Sequence, residues 1–282
     1  MYIVMNEKKR QRAMRDDQFR EILKAFGLSW DGYRRVRRGV KKHLRAHMVA
    51  LGSRSVKEYL ARLEGHREAR EEAERLMNVS ISRFFRDIGL WQALETGVLP
   101  DLARRGEDRL RAWSAGCACG EEAYSLRIVW QALTDRCDGL PDLEIWATDA
   151  NPSFLEKARQ GIYGPSSLKE LPDEWRAAHF SRIPGEDRFA FSGSLKEGVR
   201  WGVHNLVREE PPASGFHLVF LRNNLLTYYE KGLLVPSFRK VVSALRPGGV
   251  LIIGKKERLP DECGPLVPLT SCPYAFEKVG GS

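Results

Sequence analysis

Arg109-Leu110-Arg111-Ala112-Trp113-Ser114-Ala115-Gly116-Cys117-Ala118-Cys119-Gly120-Glu121-Glu122-Ala123-Tyr124-Ser125 is the stretch on which the fold turns. Arg109 to Trp113 is a short strand candidate. Ser114 to Gly120 is a loop of small residues, and from Glu121 to Leu133 the spacing is helical. The same order recurs downstream. Leu143 to Thr148 predicts a second strand ending at Asp149, and Asn151-Pro152 opens a helix to about Arg159, with proline at a favoured first-turn position. Phe216 to Leu221 predicts a third core strand. Leu233 to Leu245 predicts a helix stopped by Pro247-Gly248-Gly249, and Val250 to Ile253 a buried strand. Such alternation implies a mostly parallel sheet covered on both faces. Tyr274 to Val279 is expected as an edge strand. Arg188 to Phe191 and Val199 to Val203, flanking Gly193-Ser194, are expected to form a small antiparallel hairpin.

The first 90 residues have a different texture, with almost no strand signal and no proline. Tyr33, Val36, Val40, Leu44, Met48 and Leu51 fall three or four apart on one helical face. Asp31 stands before that run as an expected N-cap and Gly52 after it as a C-cap. Arg34, Arg35, Arg37, Arg38, Lys41, Lys42 and Arg45 fill the other faces. Ser55 to Leu63 predicts a short helix, with Ser55 and Glu58 in capping-box spacing, and His66 to Met77 a charged one. The charge is equally uneven. The chain carries 46 basic and 37 acidic residues, net +9; residues 1–90 hold 22 and 12, net +10, which leaves 24 and 25, net −1, for residues 91–282. Two units are therefore expected, 1–90 basic and all-helical, 91–282 neutral and α/β.

At 282 residues, 43% hydrophobic and 29% charged, the composition excludes a collagen-like or disordered chain. The apolar runs are a handful of residues long, far below the ~18 that span a bilayer. The opening MYIVMNEKKRQRAMR sets its apolar residues before its basic ones, the reverse of an export signal, and is expected to be a frayed terminus. Cys117, Cys119, Cys137, Cys263 and Cys272 then argue for a reducing, cytoplasmic compartment. One lone Cys-x-Cys lacks the paired ligands of a zinc site, so no metal is expected.

In an open parallel sheet, ligands collect at the carboxyl ends of the strands. Three features converge there: the loop Ser114–Gly120, whose small residues let a ligand approach the backbone; Asp149, able to accept both hydroxyls of a ribose; and Arg222-Asn223-Asn224, polar after an apolar strand. The loop is neither G-x-x-x-x-G-K-[ST] nor G-x-G-x-x-G, which disfavours nucleoside triphosphates and dinucleotides. Glu121 and Glu122 at the helix start would repel a pyrophosphate. A ligand cationic at that point fits, and S-adenosylmethionine, with its ammonium and sulfonium groups, is one.

From about Phe19 to Val279 the chain resembles the CheR-type chemotaxis receptor protein-glutamate methyltransferases. The resemblance is carried by Asn78-Val79-Ser80-Ile81-Ser82-Arg83-Phe84-Phe85-Arg86, by Ser114 to Ser125, by Ala147-Thr148-Asp149 and by Leu221-Arg222-Asn223 followed by Tyr228. Gly27 to Arg34 is similar to the family's helical amino-terminal domain. The resemblance implies a Rossmann-like S-adenosylmethionine-dependent methyltransferase domain with a small antiparallel excursion, behind an all-helical domain that docks substrate. It implies that Ser80, Ser82 and Arg86 cover the cofactor, with Arg86 at its carboxylate. Glu122 would face the ammonium, Asp149 the ribose, and Asn205 and Leu206 the adenine. Arg222 and Asn223 would line the methyl-transfer end, with Tyr228 by the sulfonium; Arg86, Arg222 and Tyr228 are the expected catalytic set. Two departures bear on the substrate: the interval from Asn223 to Tyr228 is one residue longer than in the chemotaxis enzymes, and Gly254-Lys255-Lys256-Glu257 replaces a Gly-His-Ser-Glu pattern.

A glutamate acceptor with a pKa near ~4.3 is ionised at neutral pH, so methyl transfer to it needs alignment and desolvation rather than a general base. No Ser–His or His–Asp arrangement is evident, and His204 and His217 read as structural. Arg34, Arg38, Lys42 and Arg45 are the expected dock for an acidic helical partner such as a methyl-accepting receptor. Two alternatives remain at this stage: a regulatory module that binds cofactor without turnover, and a methyltransferase of nucleic acid or another acceptor. A nucleic-acid substrate is disfavoured because the basic unit is poor in aromatics for base stacking.

Overall fold

The computed structural model describes residues 13–280; of the expected frayed terminus, residues 1–12 lie outside them, while Met14 is buried. The chain forms two compact units, one ending at Val79 and the other beginning at Ser80. The boundary falls earlier than the sequence reading placed it, after residue 90. The reason is that Phe84, Phe85 and Leu90 are buried in the hydrophobic core of the second unit.

The first unit holds α1 (Asp16–Ala25), α2 (Trp30–Tyr33), α3 (Arg37–Ala50), α4 (Val56–Gly65) and α5 (Arg67–Met77). Its core joins Phe19 and Ile22 of α1, Leu44 and Met48 of α3, Tyr59 and Leu63 of α4, and Ala73 and Met77 of α5. The Tyr33 hydroxyl donates to the Met77 carbonyl at 3.0 Å. Ser55 caps α4, accepting from Glu58 N–H at 3.1 Å, while the Glu58 carboxylate accepts from Arg54 N–H, one residue ahead of the cap itself.

The single helix expected from Tyr33 is broken at Arg34–Val36, with Asp31 inside α2 rather than at a cap. Arg34 and Arg35 therefore leave the face shared by Arg38 and Lys42, and Arg34 lies 3.8 Å from Asp31. Asp16 takes Lys41 at 2.7 Å and Arg37 at 3.4 Å. Arg45 is half-buried, its Nε sealed from solvent without a hydrogen bond. Arg38 and Lys42, four apart and exposed, remain as the clear basic pair.

In the second unit β1 (Arg109–Ala115), β2 (Asp142–Asp149), β3 (Ile162–Tyr163), β4 (Phe180–Arg182), β5 (Phe189–Phe191), β6 (Val199–Val203), β7 (Phe216–Leu221), β8 (Leu245–Ile253), β9 (Leu266–Leu269) and β10 (Cys272–Lys278) form two sheets. The large sheet runs β6-β2-β1-β7-β8-β10-β9, the small one β3-β5-β4. The first five strands of the large sheet are parallel; β10 is antiparallel to β8 and to β9. Burial on both faces follows the period of two. Leu110, Ala112, Leu218, Phe220, Val250 and Ile252 face one core, and Trp113, Ala115, Val219, Leu221, Leu251 and Ile253 the other. This is the Rossmann-like arrangement expected.

Two local expectations are corrected. Arg188–Phe191 and Val199–Val203 do not pair: β5 joins β3 and β4, whereas β6 extends the main sheet beside β2. The polar run between them folds into the short helix Gly193–Lys196. The last strand is interior, since β9, with Pro268 in it, takes the edge. In sequence that edge strand was hidden, being short and exposed with a proline.

Candidate functional site

Strand order reverses between β1 and β7, which places the crevice of a doubly wound sheet at their carboxyl ends. Beyond β1, Gly116, Ala118 and Gly120 adopt positive φ (87°, 49° and 88°) before the helix Glu121–Thr134. Gly116 and Cys117 N–H both donate to the Thr148 carbonyl, at 2.8 and 2.9 Å, folding the loop onto the end of β2. The Asn224 amide fills the space beside Gly116 and donates to the Ala115 carbonyl. A Cβ on Gly116 would lie 2.1 Å from that amide nitrogen.

Asp149 ends β2. One carboxylate oxygen accepts from Ala118 N–H and the other from Asn151 N–H, both at 2.9 Å. It has no cationic partner among the described residues, and burial pushes its carboxyl up despite those bonds. The cap of the following helix Pro152–Gln160 is Asn151, which accepts from Ser153 N–H at 3.0 Å. Asp149 is therefore free of the capping role, and each of its oxygens keeps acceptor capacity for a diol.

Glu122 and Arg222 are the hub of the site. The Ser114 hydroxyl donates to one Glu122 oxygen at 2.6 Å, and Arg222 donates to the other at 3.1 Å. Arg222 also donates to Asp87 at 2.8 Å and to the Arg86 carbonyl at 3.0 Å. Its side chain is 3% exposed, so the guanidinium is committed to these three partners. That tie holds the Phe84–Asp87 segment, in which Phe85 and Asp87 carry positive φ of 53° and 64°. Such conformations cost on the order of 1–3 kcal/mol each and persist only where surroundings enforce them. Here Phe85 N–H donates to Ser125 Oγ at 3.0 Å, and the Trp91 indole N–H to the Arg86 carbonyl at 3.1 Å. The Phe84 ring packs edge-on to Tyr163 and Phe180, and the Phe85 ring against Trp175.

Arg86 donates to the Ile81 carbonyl at 2.8 Å and has no carboxylate partner among the described residues. Its charge reaches Tyr228, partly offsetting the burial that raises that phenol. Asn223 adopts φ 55° after β7. Its N–H donates to Glu257 at 2.8 Å, and the same carboxylate accepts from Gly254 N–H at 2.7 Å and Thr227 Oγ at 2.5 Å. Asn205 spends its side-chain oxygen on Val207 and Arg208 N–H, at 3.0 and 3.2 Å, shaping the turn after β6. Leu206 packs on the second core. Ser80 is exposed and Ser82 half-buried.

Of the expected residues, Arg86, Glu122, Arg222 and Tyr228 are brought together and Asp149 stands on the same loop system; Asn205 and Leu206 follow β6. The sequence reading missed Asp87 and Thr227, and it named Ser114, Asn224 and Glu257 only as members of motifs, without the bonds by which they position the others. Glu121, read in the sequence only as an acid at the helix start, is a buried carboxylate whose partners are the hydroxyls of Ser82 and Ser167, with one oxygen left unbonded. Burial pushes its carboxyl up. His204 donates from Nε2 to the Glu210 carbonyl at 2.8 Å and packs edge-on to Trp113, and His217 meets Glu107 at 2.7 Å. Both imidazoles serve the scaffold.

These residues fit S-adenosylmethionine. Asp149, with no cationic partner among the described residues, keeps acceptor capacity suited to a ribose diol, and the carboxylates of Glu121 and Glu122 at the helix start suit an ammonium. No helix among the described residues is long and apolar enough to cross a membrane. The family model described as CheR methyltransferase, SAM binding domain, matches residues 80–271. A chemotaxis protein methyltransferase from Listeria monocytogenes is 33% identical over 65% of this chain and 67% of its own length. A probable chemotaxis protein methyltransferase from Rhizobium etli is 29% identical over 79% and 85%. Among solved structures, an S-adenosylmethionine-dependent methyltransferase from Mesorhizobium loti aligns at 20% identity and TM-score 0.30, over 57% of this chain and 54% of that one. With S-adenosylmethionine as its cofactor, this chain belongs to the CheR methyltransferase family.

Proposed function

We propose that the protein methylates glutamate side-chain carboxylates of a chemoreceptor-like protein, forming methyl esters. The observation that carries this reading is Arg86, a site cation beside Tyr228 with no carboxylate of its own among the described residues. An anionic acceptor satisfies it, whereas an amine acceptor would be repelled. Relatives named as chemotaxis protein methyltransferases support an acceptor in chemotaxis.

When bound, S-adenosylmethionine supplies a methyl group made electrophilic by its sulfonium. Asp149 would hold the ribose hydroxyls, Glu122 the ammonium, and Ser80, Ser82, Asn205, Leu206 and Asn223 the remaining contacts. Arg222, whose two terminal nitrogens are held by Glu122, Asp87 and the Arg86 carbonyl, acts as a positioning residue. Arg86 and Tyr228 are the groups proposed to touch the reacting atoms. They orient an already ionised carboxylate and exclude water from it, so no base is required. Arg38 and Lys42 would dock an acidic helix of the acceptor protein, without Arg34, which is off their face, or the half-buried Arg45.

Calorimetric titration with S-adenosylhomocysteine, alongside Asp149→Ala, tests the cofactor assignments, and Arg86→Ala is expected to keep that affinity while losing methyl transfer. Transfer of labelled methyl to a receptor fragment, released as methanol by base, tests the ester. Label stable to base would overturn the glutamate reading.

A further inference from the structure

The turn after β8 carries charge that the chemistry above does not use. Glu257 N–H donates to the Gly254 carbonyl at 2.9 Å, and Gly254 N–H donates back to the Glu257 carboxylate at 2.7 Å. Gly254 has no room for a side chain, since a Cβ there would lie 2.6 Å from that carboxylate and 3.0 Å from Asn223 Oδ1. The carboxylate also binds Asn223 N–H and the Thr227 hydroxyl. The turn is thus fastened to the segment Asn223–Tyr228 at the methyl-transfer end.

At the tip of this fixed turn stand Lys255 and Lys256, both exposed, followed by exposed Arg258. None of the three makes an ion pair with a described residue. Glu257, the one acid among them, is turned inward, and Glu262 farther along pairs with Arg239, leaving Asp261 as the nearest exposed acid in sequence. Three cations therefore gather in a region, residues 91–282, whose charge sums to −1 (24 basic less 25 acidic).

We infer that Lys255, Lys256 and Arg258 form a specificity rim that selects a glutamate accompanied by further carboxylates on an acidic helical segment. This rests on the glutamate-methylation reading and adds to it which glutamates are chosen. Charged groups at the edge of an interface set partner choice and association rate more than ultimate affinity. Cations held on a short, internally bonded turn present that charge in one place. Because the rim sits on the catalytic unit, the selection it makes concerns the neighbours of the reacting side chain, separately from docking by Arg38 and Lys42.

The test uses the full chain with bound S-adenosylhomocysteine and two fluorescent helical peptides, read by anisotropy. Both peptides carry a central glutamate; one has acidic flanks, the other the matching amides. The acid-flanked peptide is expected to bind about tenfold more tightly at low salt, and Lys255→Glu with Lys256→Glu to erase that preference. Equal binding of the two peptides, no binding of either, or a preference that survives the double reversal overturns the rim. So does a preference lost only in Arg38→Glu with Lys42→Glu. Unchanged S-adenosylhomocysteine titration certifies that the reversed variant is folded. Failure of the wild type to bind S-adenosylhomocysteine would instead strike the cofactor assignment.

Discussion

Replacing Arg222 by methionine keeps most of the side-chain volume and removes the charge. The Arg222 side chain is 3% exposed, and the carboxylates it serves are 14% exposed at Glu122 and 25% at Asp87. Removing one partner of a buried ion pair costs on the order of 3–5 kcal/mol, because the remaining charge is left uncompensated. Water reaches Asp87 and relieves part of that cost, so the lower end, about 3 kcal/mol, is expected. For a unit of about 200 residues this lowers Tm by roughly 6–12 °C. Urea denaturation followed by fluorescence and by calorimetry measures it. A second substitution, Glu122→Gln, should restore about 1 kcal/mol in the Arg222→Met background while destabilising the wild type. A loss below about 1 kcal/mol, or strict additivity of the two changes, would refute the account of Arg222 as the tie between Glu122 and the Phe84–Asp87 segment.

Other outcomes follow from the same geometry. Asp149→Asn should weaken S-adenosylhomocysteine by about tenfold or more in calorimetry, since an ionic acceptor for the diol becomes a neutral one. Gly116→Ala should cut the same affinity with a fall in Tm, because a Cβ meets the Asn224 amide at 2.1 Å and the backbone is at φ 87°. Glu121 has its carboxyl raised by burial, so the folded state holds its proton longer than the unfolded one does. Stability from this group therefore falls as pH rises through the ordinary glutamate value toward the raised one. Glu121→Gln should melt higher than the wild type at neutral pH, the difference closing as pH drops below the ordinary glutamate range. Arg38→Glu with Lys42→Glu should raise the acceptor KM in a methyl-transfer assay and leave cofactor affinity unchanged.

The strands that build the crevice were legible because each is an apolar run closed by glycine, asparagine or aspartate, as at Trp113 to Gly120 and Leu221 to Asn223. Asp149 was legible for the same reason, standing alone after Ala147-Thr148. Periodicity failed where local spacing agreed with two structures. Tyr33, Val36 and Val40 keep helical spacing across a turn that interrupts the helix. Arg188–Phe191 and Val199–Val203 read as a hairpin, although each finds its partner elsewhere, at Ile162–Tyr163 and along β2. Asp87 was invisible as a site residue because its role is a bond to Arg222 across a long sequence separation, and the Gly254–Glu257 pattern showed Glu257 without its bonds to Asn223 and Thr227.

The placement of β9 bears on how the molecule behaves in company. An open sheet offers its outermost strand as a template for another chain, and proteins blunt that hazard with proline, charge and brevity. Pro265 and Pro268 stand just before and within the four-residue β9. At the opposite border, Arg200 of β6 pairs with Glu144 at 2.6 Å, putting charge on the other exposed strand. Both borders of the main sheet are thereby discouraged from strand exchange. Replacing Pro268 by threonine would remove one of these guards, and slow aggregation on concentration is the expected symptom.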